Sequence, residues 1–416
     1  MSITRRAFLR DGALAVVGTA ALPSFLARAA TGADSTLRGR NKRLVVIFQR
    51  GAADGLNIIV PHGEAAYYGM RPSINIPRKE VLDLDGFFGL HPAMASFVPL
   101  WNQHHLAIVH AAGSPDPTRS HFDAQDFMES GTPGVKATED GWLNRALHSM
   151  PASTTDKTAF RAIAFGSSLP RILSGPEPAV AVNNINDFGV GGRNPKAAPL
   201  ANTFEAMYEN SVDTVFHGTG KQTFEAVKML KSADPAKYSP APGANYPRGR
   251  FGDSLKQLAQ LIKANLGVQM AFADIGGWDH HANEGSTHGQ IANGLRDFSQ
   301  SISAFWTDLG NLGEDTVVVT MSEFGRTARE NGNRGTDHGH ANVMFVLGGP
   351  VRGNKVYGRW PGLDQSQLYE GRDLAVTTDF RRVLGEAVYR HLANQSLESV
   401  FPGFDNRPSA FLTLLG

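Results

Sequence analysis

The chain has 416 residues, with 40 basic side chains against 39 acidic ones and a formal net charge of +1. That balance leaves no electrostatic footprint for nucleic acid, and the length suffices for one large domain, with or without an insertion. Cysteine is absent, which excludes disulfides, a thiolate zinc site and a cysteine nucleophile.

The N-terminal stretch Thr4-Arg5-Arg6-Ala7-Phe8-Leu9-Arg10 has the form of a twin-arginine export motif. An apolar run from Ala13 to Leu26 and the small-residue exit Ala27-Arg28-Ala29 follow in the order of a signal peptide. The run is shorter than the roughly 20 residues of a membrane span. No later segment is apolar enough to span a bilayer, so stable membrane insertion is not expected. Residues 1–30 read as a leader taken up by the twin-arginine translocase, and 31–416 as the domain delivered to the periplasm or secreted. The leader holds Arg5, Arg6, Arg10, Arg28 and Asp11, a charge of +3; without it the chain carries about −2.

Arg43 to Phe48 predicts a first buried strand, ending in the glycine-rich turn Gln49-Arg50-Gly51-Ala52-Ala53-Asp54-Gly55. Pro92 to Val98 predicts a short helix opened by proline and stopped by Pro99. Leu106 to Val109 predicts a second strand, followed by a proline-marked loop and by Ser120 in the N-cap position of a helix from His121 to Glu129. Ala162 to Phe165 and Ala179 to Val182 are further strands. Helical patterns dominate 196–265, broken by Tyr238-Ser239-Pro240-Ala241-Pro242-Gly243; this reads as a helical insertion or a helical layer on the core. Val268 to Phe272, Thr316 to Met321 and Val343 to Leu347 predict strands. Ile291 to Leu309 and Phe380 to His391 predict helices. Strands alternating with helices give the α/β class, a mostly parallel central sheet with helices on both faces. Ligands of such sheets lie beyond the carboxyl ends of the strands, which gathers Asp54, Ser120, Asp279 and Glu323 at one rim.

Two glycine-flanked loops concentrate carboxylate and imidazole: Gly276-Gly277-Trp278-Asp279-His280-His281 and Gly335-Thr336-Asp337-His338-Gly339-His340. Such donors together suit Zn²⁺ or a similar divalent ion. In an extended loop Asp279 and His281 point the same way and His280 points away; His338 and His340 share that spacing, one as ligand and one as a supporting donor. Asp337 orients a histidine. Asp54 is either a ligand or the cap of its turn. Glu323 is either a ligand or the ion-pair partner of Arg326. His121 reads as an exposed first-turn residue, and Ser120 as a helix cap or a nucleophile.

The segments RGAADGLN, SHFDAQDFMESG, GGWDHHANEG, SEFGRTARENG and GTDHGHANVMFVLGG, with the leader TRRAFLR, resemble a bacterial family of twin-arginine-exported proteins of unknown function placed in the alkaline phosphatase and sulfatase superfamily. The likeness covers nearly all of the exported part. It implies an alkaline phosphatase-like fold and one or two divalent metal ions, zinc foremost, on Asp54, Asp279, His281, Glu323, His338 and His340. It also implies a nucleophile after a strand at a helix N-terminus, a place Ser120 fits. Arg119 and Arg326 are candidates to clamp an oxyanion, by the bidentate geometry of guanidinium. The chain departs from that pattern in two places. Asp279-x-His281 replaces D-x-x-x-H, and Glu323-Phe324 stands where Asp-His is usual, which puts the number of metals in question. Ser114 lies in S-P-D-P-T-R, one position out of register for a formylglycine sulfatase. The function expected is an exported metal-dependent hydrolase of a phosphate or sulfate ester, on a small molecule or saccharide, with a serine nucleophile. The alternatives are a non-catalytic binding or assembly protein with the same fold, and a phosphomutase-type transferase.

Overall fold

The computed structural model describes residues 42–150, 160–185 and 238–416, together with two short strands, Phe8–Arg10 and Ala13–Ala15, that pair antiparallel. The remainder of the expected leader, and 196–237 of the expected helical insertion, lie outside the described residues. The chain divides into Met1–Arg40 and Asn41–Gly416, and the second unit carries the sheet.

The sheet is built from β1 (Arg43–Gln49), β2 (Leu106–Gly113), β3 (Ala162–Phe165), β4 (Val180–Val182), β5 (Met270–Ile275), β6 (Thr316–Ser322), β7 (Asn342–Gly348), β8 (Lys355–Tyr357) and β9 (Thr378–Asp379). Their spatial order is β8-β2-β7-β6-β1-β5-β3-β4, with β9 also against β2. All pairings are parallel except those of β7, which runs antiparallel to both β6 and β2. The central strand β1 is buried along its whole length. That burial on both faces is why its apolar run is continuous rather than alternating.

Period-two geometry splits the run. Val45 and Ile47 join one core with Phe251, Leu255 and Leu258 of α4 (Arg250–Lys263) and Phe298, Ile302 and Phe305 of α5 (Gln290–Leu309). Leu44, Val46 and Phe48 join the other, with Trp142 and Leu143 of α3 (Trp142–Ser149) and Val383 and Leu384 of α6 (Phe380–Glu386). The remaining helices that matter are α1 (Gly55–Ile58) and α2 (His121–Ser130).

Several boundaries differ from expectation, among them the end of β2, at Gly113 rather than Val109. β5 begins at Met270 and runs on to Ile275, because its last residues pair with Ile47, Phe48 and Gln49 of β1. Pro92–Phe97 is a 3-10 turn, and Pro99 opens the next helix, Val98–Asn102, instead of stopping one. The closing helix passes at Ala387 into a π turn through His391. In the stretch read as helical from 196, the described part is irregular until α4 begins at Arg250.

Buried histidines lock several of these elements. His110 on β2 bonds through Nε2 to the carbonyl of Ile59 at 3.1 Å, and its Nδ1 accepts from the Ala111 amide at 2.8 Å. That pattern uses the neutral ring completely. His391 donates from Nε2 to the carbonyl of Arg43 at 2.9 Å. Burial lowers both imidazoles to about 4. The unfolded rings titrate near ~6.5, so the unfolded chain binds more protons between the two values. Stability is therefore complete above the unfolded value and falls as the pH drops toward the folded one. Each ring should contribute about 2 kcal/mol of loss by pH 5. Urea unfolding of wild type and His110→Gln at neutral pH and at about pH 5 checks this. The variant should lose less on acidification by that amount, and an equal acid loss in both proteins would contradict it.

Candidate metal centre

The rim loops after β1 and β5, the single loop between β6 and β7, and the start of α2 come together. Antiparallel β7 is what makes this work. The chain leaves β6 at the rim, forms the loop carrying Gly335 to His340, and re-enters the sheet from the same side. The approach is backbone on backbone. A Cβ on Gly51, whose φ is +113°, would lie 2.9 Å from the amide nitrogen of Asp279, and one on Gly335 would lie 2.5 Å from the carbonyl of His280.

Arg326 ties these loops together. Its guanidinium is buried and donates from Nε to the carbonyl of Ala52 at 2.7 Å, from Nη1 to Thr336 at 3.1 Å, and from Nη2 to Gly51 at 2.9 Å and Trp278 at 3.0 Å. Nη2 also meets Oδ1 of Asp279 at 2.5 Å. Burial pushes the Asp279 carboxyl up, but hydrogen bonding and charge from Arg326 prevail and hold it below the usual carboxylate range.

Around Asp279 stand three imidazoles, each pinned through Nδ1 to an oxygen. His121 meets Oε1 of Glu323 at 2.9 Å, His338 the carbonyl of Arg119 at 2.8 Å, and His281 Oδ1 of Asp337 at 3.2 Å. A carbonyl or carboxylate only accepts, so each Nδ1 carries a hydrogen, and in the neutral tautomer this assigns, Nε2 offers its lone pair. Those three Nε2 atoms converge on Asp279. His281 Nε2 lies 2.9 Å from His338 Nε2 and 3.0 Å from Asp279 Oδ1. His338 Nε2 is 3.3 Å from Oδ1, and His121 Nε2 is 3.5 Å from Oδ2. His121 Nε2 is buried with no hydrogen-bond partner. Two lone pairs facing at hydrogen-bond distance repel unless a cation or proton stands between them. Donors about a zinc ion at tetrahedral bond lengths would be spaced by about 3.3 Å, close to these distances. His121, Asp279 and His338 have ligand atoms all within 4.8 Å of one another, and His281 adjoins Asp279 and His338 outside that group. The donor set fits a divalent ion, with Asp337, Glu323 and the Arg119 carbonyl fixing ring orientation.

Several expected site residues stand elsewhere. Glu323, expected as a ligand, is fully buried behind His121. Its Oε1 receives His121, Gln125 Nε2 at 2.9 Å and the Gly51 amide at 2.8 Å. Burial raises its carboxyl and these donors more than offset that, leaving it ionised. Arg326, expected to clamp an oxyanion, has its N–H groups committed to the loops. Arg119 pairs with Glu370 and Asp373, both at 2.7 Å, so its side chain is turned to those acids. His340 bonds from Nε2 to the Ser114 carbonyl at 3.0 Å and packs on Tyr369. Ser120 caps α2, its Oγ accepting from the Asp123 amide at 3.5 Å, one residue before His121.

Asp54 caps α1 and is ion-paired with fully buried Arg71, whose Nη2 is 3.0 Å from Oδ1. Glu284, a residue the sequence reading passed over, lies buried beside this pair and takes the Thr336 hydroxyl at 3.0 Å. Burial and then the Asp54 charge push Glu284 well above the usual carboxylate range, which favours a hydrogen bond from its carboxyl to Asp54. His121 was likewise read as an exposed first-turn residue. The available signal was its place directly after Ser120, at the mouth of the loop that follows a buried strand.

A family model described as "Protein of unknown function (DUF1501)" matches residues 41–395. The chain belongs to this family. No curated protein matches it. Among solved structures it is similar to the zinc complex of the C-terminal periplasmic domain of EcEptC from Escherichia coli, at 8% identity and a TM-score of 0.35, covering 74% of this chain and 72% of that one. The PsFucS1 sulfatase from Pseudoalteromonas sp. matches at 10% identity and a TM-score of 0.36, with 94% and 74% covered. The phosphonate monoester hydrolase of Agrobacterium radiobacter matches at 10% and 0.31, with 89% and 78% covered.

The floor beneath the centre is testable without any metal. Replacing Arg71 by Met roughly keeps the volume and removes the cation that is ion-paired with Asp54 among the described residues. The variant should lose about 3–5 kcal/mol at neutral pH. The loss should shrink on acidification as Asp54 takes up a proton. Unfolding midpoints at two pH values report both effects, and a neutral substitution would show that the pair does not hold the floor.

Proposed function

We propose that this protein is an exported, metal-dependent hydrolase of an anionic ester, a phosphate or a sulfate. The carrying observation is the convergence of three Nε2 lone pairs and the Asp279 carboxylate, each ring held by an oxygen on its far nitrogen. His121, Asp279, His281 and His338 would hold one divalent ion, zinc by the preference of this donor set. Such an ion supplies Lewis acidity and lowers the pKa of a nearby hydroxyl or water.

The chain's own residues do the rest. Glu323 holds His121, Asp337 holds His281, and Arg326 holds Asp279 ionised. Ser120 stands at the exposed start of α2, one residue from His121, and is the proposed nucleophile. The free amides of the first turn of α2 offer donors to an anion.

Purified protein incubated with Zn²⁺ and desalted should retain close to one ion per chain. Asp279→Ala and His338→Ala should retain none. Glu323→Gln should bind it about 10–100-fold more weakly. Turnover of 4-nitrophenyl phosphate or sulfate should vanish with the ligands and fall in Ser120→Ala. A wild-type protein that keeps no divalent ion sinks the reading at its first step.

A second reading, a metal-binding protein without turnover, draws on the commitment of both Arg119 and Arg326 to protein acceptors. Metal retention with no activity on either ester would select it.

Delivery outside the cytoplasm by the twin-arginine route is part of the proposal. It rests on Thr4 to Arg10 in the sequence, and no helix among the described residues is long and apolar enough to cross a membrane. The double variant Arg5→Lys, Arg6→Lys should keep the protein in the cytoplasmic fraction. Unchanged periplasmic or extracellular recovery would refute this route.

A further inference from the structure

A polar groove of about 250 Å³ opens beside the metal centre. Arg329, Asn331, Asp337, Gln365, Leu368 and Arg372 line it. It shares a wall with the centre in two ways. Asp337 holds His281 through Oδ1, and Arg372 donates from Nη2 to the backbone carbonyl of His338 at 3.0 Å.

The groups left over in this groove define what it can bind. Oδ1 of Asp337 already takes both His281 and Asn331, which leaves Oδ2 as an acceptor. Gln365 donates from Nε2 to the Gly371 carbonyl at 2.6 Å, which leaves its Oε1 as a second acceptor. Glu330, the other acid of the groove, is saturated by the amides of Ser73 and Ile74 and the Ser73 hydroxyl. The guanidinium of Arg329 is exposed and has no hydrogen bond or ion pair among the described residues. Arg372 is half-exposed and reaches Asp373 only at 3.4 Å. The groove thus offers two free acceptors for hydroxyl hydrogens and one uncommitted guanidinium for an anion, beside a second, Arg372, whose Nη2 is given to the His338 carbonyl. Its walls present no aromatic face on which a base could stack.

We propose that this groove is a subsite for a hydroxyl-rich anion the size of one sugar unit. In the hydrolase reading, on which this placement rests, it receives the part of the substrate remote from the scissile ester. Hydroxyls meet Asp337 and Gln365, and the carboxylate, phosphate or sulfate meets Arg329.

Calorimetric titration of the full chain with glucuronate and with glucose 6-phosphate tests this, with glucose and acetate as controls. The titrations are run on Zn²⁺-loaded and on metal-free protein, which separates the groove from the ion. At least one sugar anion should bind in both forms and exceed glucose and acetate by about tenfold. Arg329→Ala should weaken it by about tenfold, and Arg329→Lys should restore part of the loss. Absence of binding by both anions, equal binding by Arg329→Ala, or equal binding of glucose or acetate overturns the proposal. The two readings fail separately. Zn²⁺ retention without Arg329-dependent anion binding removes the subsite and leaves the metal centre. Arg329-dependent binding by a chain that retains no Zn²⁺ removes the hydrolase and leaves the subsite.

Discussion

One buried guanidinium sets the geometry of the rim. Arg326 reaches carbonyls of Gly51, Ala52, Trp278 and Thr336 and the carboxylate of Asp279. These acceptors come from the loops after β1 and β5 and from the loop before β7, and Arg326 itself follows β6. The planar fork has five N–H groups in fixed directions, which a lysine could not reproduce from one point. A permanent charge placed here is costly unless its donors are paired. All three nitrogens find acceptors, four carbonyls and one carboxylate, so the loops hold the charge and the charge holds the loops.

Beneath this tie lies a second one of different character. Asp54, Arg71 and Glu284 are all buried, and two carboxyls face one cation. Burial and the Asp54 charge push Glu284 well above the usual carboxylate range, which favours its protonated form and the hydrogen bond to Asp54. Glu284 then reaches Thr336, in the loop that carries His338. The floor therefore positions the same loop that Arg326 holds from above, and His338 is fixed by two independent sets of contacts. Asp337 and Glu323 complete the arrangement by fixing rings rather than offering themselves as donors.

The sheet was legible because it is buried on both faces. Runs such as Leu44 to Phe48 and Val317 to Met321 have no solvent face to interrupt them. Asp279, His281 and His338 were legible because their glycine-flanked loops border such strands. His121 was not. Its partner Glu323 is 202 positions away, and only the placement of α2 against the end of β6 brings them together. Asp54 was correctly noticed as an acid after the first strand, but Arg71 carries no local mark of being its partner. The choice posed at Glu323, ligand or partner of Arg326, had a third answer. Glu323 turns inward to His121 and the Gly51 amide, while Arg326 turns to Asp279.

These commitments bear on how many ions the site can hold. The carboxylates that would complete a second centre, Asp54 and Glu323, are each saturated by protein donors, and His340 spends Nε2 on a carbonyl. Four donor groups remain, His121, Asp279 and His338 mutually close and His281 beside the last two. Imidazoles bind a metal as neutral rings, and the one anion, Asp279, is already opposed by Arg326. A divalent ion held there would not be neutralised by its ligands. Under the proposed hydrolase reading, unsaturated positive charge there would favour anionic over neutral esters. The exposed guanidinium of Arg329 would extend the same preference to the neighbouring groove.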